Sequence, residues 1–130
     1  MRTHLYHALA AGALAAVAAI IYMQVYSAAL AVDFSSVANP MGAALSTIIG
    51  LLIAGLGRHY WGRWMQRHTE VSFNAIFTVL TFASIAPVFG MTLPLTVEAP
   101  ELFIGMVVPT HLFPQLFWHV SAPLFAPAQA

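Results

Sequence analysis

The chain contains no cysteine and no lysine, and charged side chains make up only 6% of its 130 residues. Without cysteine there is no disulfide, no thiolate nucleophile and no cysteine-held zinc or iron–sulfur site. The four arginines are scattered and too few to neutralise a run of phosphates, so no nucleic-acid partner is expected. Soluble domains carry about 25% charged residues, and this chain cannot cover a water-facing surface with so few. It has hydrocarbon instead: 61% of its residues are hydrophobic, and the mean hydropathy is +0.85. Most of the surface is therefore expected to face lipid. No HExxH, nucleophile motif or glycine-rich phosphate loop occurs. The chain reads as non-catalytic, with no metal site.

A bilayer core about 30 Å thick takes roughly 20 apolar residues of helix. Four runs meet that length, at about 5–31, 40–57, 71–91 and 102–124. The expected fold is all-α: one integral-membrane domain over 1–130, built as a four-helix bundle. Asn39-Pro40 reads as a helix start, with Asn capping free amides and Pro in the first turn. The polar stretch from Arg58 to His68 is expected as a loop. Pro87, Pro109 and Pro114 fall inside the last two spans, and each should kink its helix. The tail Ala126–Ala130 is expected to fray.

All four arginines (Arg2, Arg58, Arg63, Arg67) lie at the N-terminus or between spans two and three. Asp33, Glu98 and Glu101 lie in the other two connections. Basic short loops stay cytoplasmic, so both termini are expected inside, with the protein multi-pass in the cell (inner) membrane. Trp61 and Trp64 sit beside those arginines, where aromatic rings favour the headgroup layer. Arg2, the alanine-rich first run and Ala29-Leu30-Ala31 imitate a signal peptide. The run exceeds the usual signal core of about 7–15 residues, so a retained helix is expected.

Helices gain no hydrophobic drive from meeting in lipid, so small residues that permit close approach carry the packing. Gly42, Ser46, Gly50 and Ala54 form one such stripe on span two. Span one offers Ala8, Gly12 and Ala16, with Ala11, Ala15 and Ala19 beside them. The two stripes are expected to face each other, and self-association is the other use open to them.

Polar side chains inside a bilayer turn toward the bundle interior. Those expected to form a buried network are Ser46, Asn74, Thr78, Thr81, Ser84, His111, Gln115 and His119. His111, Gln115 and His119 recur at intervals of four and share a helix face. His111 falls near mid-membrane, level with Ser46 and with Thr81 or Ser84. Three readings compete for this face. The first is a hydrogen-bonded packing network in a protein that acts by association, as an accessory subunit of a larger membrane complex or with copies of itself. The second is a haem or chlorophyll held by His111 or His119 through an imidazole nitrogen. The third is proton or small-solute conduction centred on His111.

Three short pieces carry a family resemblance: the arginine-rich segment running into Phe73, Ala83-Ser84-Ile85-Ala86-Pro87, and Thr110-His111-Leu112. Over the latter half of the chain these resemble small four-helix bacterial membrane proteins grouped as a domain of unknown function. The resemblance implies four spans and a histidine in the last, and it brings no activity.

Overall fold

Asn39 and Pro40 begin a helix as their chemistry requires. The Asn39 side chain accepts from the Met41 N–H at 2.9 Å, and Pro40 occupies the first turn, where its missing N–H costs nothing. The computed structural model describes residues 1–94 and 96–125, and every regular element among them is helical. Helix α1 covers Arg2–Leu30, α2 Pro40–Met65, α3 Thr69–Gly90 and α4 Leu102–Ser121. Short 3-10 turns follow α2 at Gln66–His68 and α4 at Ala122–Phe125. Helix α1 ends on Ala31 in the left-handed conformation (φ 54°), a common helix stop that lets the Val32 N–H reach the Ser27 carbonyl. The tail 126–130 lies outside the described residues.

The polar stretch after Gly57 differs from expectation. It continues α2 for two more turns, and the chain reverses only at Gln66, whose φ is 38°. Arginine and methionine are good helix formers, histidine, tyrosine and tryptophan are tolerated, and Gly62 is the weakest residue of this stretch. The side chains of Arg58 and Glu70 pair across the reversal, and Trp61 Nε1 donates to Ser72 Oγ at 2.8 Å. Arg58, expected as a topology signal in a basic loop at the lipid headgroups, has a side chain just 10% exposed and lies over the Phe73 ring at 5.8 Å.

Helix α1 lies between α2 and α4, while α3 packs on α4 and more thinly on α2. Ala8, Ala11 and Ala15 are fully buried, which brings backbones close. The surface of α2 that meets α1 is not the Gly42/Ser46/Gly50/Ala54 stripe. It runs through Ala44, Ile48, Leu51 and Gly55. A Cβ added to Gly12 would lie 3.3 Å from Ile48 Cα, and one on Gly55 would lie 2.7 Å from Ala8 Cβ. A Cβ on Gly50 would touch nothing within 4 Å. The expected α1 stripe is in place, but α2 is rotated by about 150° from the expected facing, at 100° per residue.

Two helical stretches are long and apolar enough to cross a membrane: Arg2–Leu30 and Pro40–Gly90, the latter containing α2 and α3. Helix α4 is outside that set, because Thr110, His111, Gln115, His119 and its prolines offset its apolar residues.

Candidate functional site

The prolines of α4 decide much of its surroundings. Pro109 has no N–H to give the Gly105 carbonyl, four residues earlier. The Tyr22 hydroxyl of α1 donates to that carbonyl at 2.8 Å. Tyr26, one turn further on, donates to the Leu102 carbonyl, also at 2.8 Å. At the other end of α4, the Ala122 N–H bonds the His119 carbonyl, leaving the Trp118 carbonyl to a side chain. His7 Nε2 takes it at 2.9 Å, and because a carbonyl only accepts, Nε2 carries the hydrogen. The His7 ring is buried and stacks on Trp118, centroids 4.3 Å apart. Three donors on α1 thus satisfy carbonyls of α4. Sequence reasoning passed over His7 because it sits near the chain's end; the available signal was a histidine seven residues into an apolar helix.

A cleft of about 560 Å³ separates α2 from α3 and α4. Its walls are apolar, from Leu51, Phe73, Phe77 and Pro114, and it opens to the surface between Ile53 on α2 and Ile76 and Leu80 on α3. Ser46, Gly50 and Ala54 line it, so most of the small stripe of α2 faces this space. Its polar lining is Ser46, Thr47, Thr81, Ser84, Thr110 and His111. Four of these hydroxyls donate within their own helices: Ser46 to Ala43, Thr81 to Phe77, Ser84 to Thr81 and Thr110 to Val107. His111 Nδ1 donates to the Val107 carbonyl at 3.0 Å. In the neutral imidazole the other nitrogen, Nε2, is then an acceptor.

The expected network is divided. Gln115 donates to Thr78 Oγ1 and joins α4 to α3. Thr78 donates in turn to its own helix at Asn74. The side-chain oxygen of Asn74 is buried and unpartnered among the described residues. His119 is exposed and is not part of the cleft, so the two expected cofactor histidines do not share a site. Among the described residues His111 is the only histidine on the cleft wall, and a haem seated there would take one nitrogen from them rather than two. No cluster of three or more metal-ligating side chains occurs among the described residues. Of the expected packing residues, Gly12 is buried against Ile48 and Leu51 of α2 and Ala16 is buried, while Gly42, Ser46 and Gly50 are exposed. Comparison with protein-family models, curated proteins and solved structures found no match.

Proposed function

We propose that this is a small non-catalytic integral membrane protein that acts by association, receiving a membrane-resident partner against the open face of α2. In this reading α1 to α4 form a four-helix, multi-pass bundle in the cell membrane with both termini cytoplasmic. The protein serves as an accessory component or self-associates. The observation that carries the proposal is the small-residue stripe on α2. Gly42, Ser46 and Gly50 of that stripe are exposed, and only 17% of the most apolar window of α2–α3 is buried, against 39% for α1. In lipid, close-packing residues stabilise only when something approaches them.

The test is a photo-crosslinking residue at Ile53, on the rim of the cleft, compared with one at Val17, an exposed position on α1. Irradiating native membranes should convert the Ile53 variant to one discrete adduct and the Val17 variant to diffuse lipid adducts. The adduct's mass identifies the partner's class. An Ile53 variant that behaves like the Val17 variant rules the association surface out. Haem or chlorophyll ligation by His111 is the second reading, carried by its free Nε2 at the cleft. An absorption band in the purified protein that His111→Gln removes would favour that reading.

A further inference from the structure

The chemistry of the cleft names the occupant. We propose that it takes an apolar, chain-like or ring molecule bearing one hydrogen-bond donor, a hydroxyl or N–H, seated against His111 and Thr110. This rests on reading the open face of α2 as an association surface.

The first argument is the sign of the polar groups. Four lining hydroxyls have spent their hydrogens on carbonyls of their own helices and present only oxygen lone pairs. His111 has spent Nδ1–H in the same way and presents Nε2. Pro114, also on the wall, has no N–H for the Thr110 carbonyl four residues earlier. Thr47 is the one lining hydroxyl with no such bond among the described residues. The wall is therefore rich in acceptors and poor in donors. At membrane depth there is little water to serve the His111 Nε2 and the Thr110 carbonyl, and a polar group left unpaired there is costly. An occupant that brings a donor relieves that cost, and one that brings only acceptors does not.

The second argument is size. The cleft holds about 560 Å³, which is within the range of small-molecule sites. The opening between Ile53, Ile76 and Leu80 is apolar, so entry is from the lipid side.

The test uses the full chain in lipid nanodiscs. The probes are hexadecan-1-ol carrying a diazirine and its methyl ether, which keeps the oxygen acceptor and lacks the donor. Adducts are mapped by mass spectrometry. The alcohol should label α2, α3 and α4 around Gly50, Thr81 and His111, with unlabelled hexadecanol competing. The ether should label those positions about fivefold less, the worth of one hydrogen bond. His111→Phe should bring the alcohol down toward the ether. Gly50→Leu, which fills open space, should remove labelling by both. Equal labelling of the cleft by alcohol and ether overturns the donor rule while leaving an association surface in place. Labelling scattered away from the cleft, or unchanged by Gly50→Leu, overturns the site. If a discrete adduct at Ile53 is also missing, the association reading falls with it. The alcohol and ether comparison needs only the wild-type chain, so a variant that fails to fold leaves the outcome decisive.

Discussion

Gly105 shows how one residue is fixed by a neighbour's hydrogen bond. Tyr26 must lie flat against α4 to reach the Leu102 carbonyl, and a Cβ on Gly105 would overlap its hydroxyl end. The Gly105 carbonyl meanwhile accepts from Tyr22 because Pro109 cannot serve it. Gly105→Ala should therefore displace Tyr26 and weaken the α1–α4 contact. The expected cost is about 1–3 kcal/mol from overpacking, partly offset by the better helix propensity of alanine. Gly90→Ala is the control, since a Cβ there meets nothing within 4 Å. Thermal unfolding in detergent should show a lower midpoint for Gly105→Ala and an unchanged or higher one for Gly90→Ala. Equal midpoints would mean that the tyrosine contact does not hold the helices together. The need for glycine here could not be read from the chain, because the clash is with a side chain 79 positions away in sequence.

At the scale of elements, the outcome turns on which face of α2 meets α1. The Asn39-Pro40 start is where its chemistry puts it, but the end of α2 was not legible, since the helix runs on through the polar stretch to Met65. The facing of α2 was not legible, because the helix is apolar nearly all round and offers two small-residue stripes. The one with the more regular spacing, Gly42 to Ala54, lines the cleft through Ser46, Gly50 and Ala54. The one through Ala44 and Gly55 packs on α1. The polar residues followed the same pattern. Their membership of one region was legible for Ser46, Thr81, Ser84 and His111, but hydroxyls in helices readily bond the carbonyl three or four residues back. Only Gln115 and Thr78, of the expected set, bridge two helices. The rotation gives a paired prediction. Gly55→Leu should separate α1 from α2 and lower the unfolding midpoint strongly, because Ala8 and the His4 carbonyl leave no room. Gly50→Leu should fold with a midpoint near wild type. The reverse order would restore the Gly50 stripe as the packing face.

At the scale of the whole molecule, the connections sort by charge. His4 and His59 lie with ring centroids 6.1 Å apart, and Arg58 pairs with Glu70, so the N-terminus and the α2–α3 reversal share one end. Phe34 packs edge-on to Phe103 at 5.5 Å, within a cluster that includes Val32 and Val97. The acidic connections around Asp33 and Glu98 therefore share the opposite end. Asp33 is held as a carboxylate below its ordinary range by the Ser35 N–H, which donates to it at 2.8 Å. Every arginine thus belongs to one end of the molecule, and three of the four acids to the other. The Arg58–Glu70 pair does not weaken the expected orientation, since retention on the cytoplasmic side counts Arg and Lys and largely ignores acids. Because the chain has no cysteine, single cysteines report topology without background. Ser35, Thr96 and Gln66 are the positions to use: all are exposed, whereas Phe34 is 2% exposed and would react poorly wherever it lay. A membrane-impermeant maleimide should label Ser35→Cys and Thr96→Cys in intact cells, and Gln66→Cys only after lysis. Labelling of Gln66→Cys in intact cells would invert the orientation and place the arginine-rich reversal outside. Labelling of Ser35→Cys and Thr96→Cys on opposite sides would break the shared end itself, and with it the packing of Phe34 on Phe103.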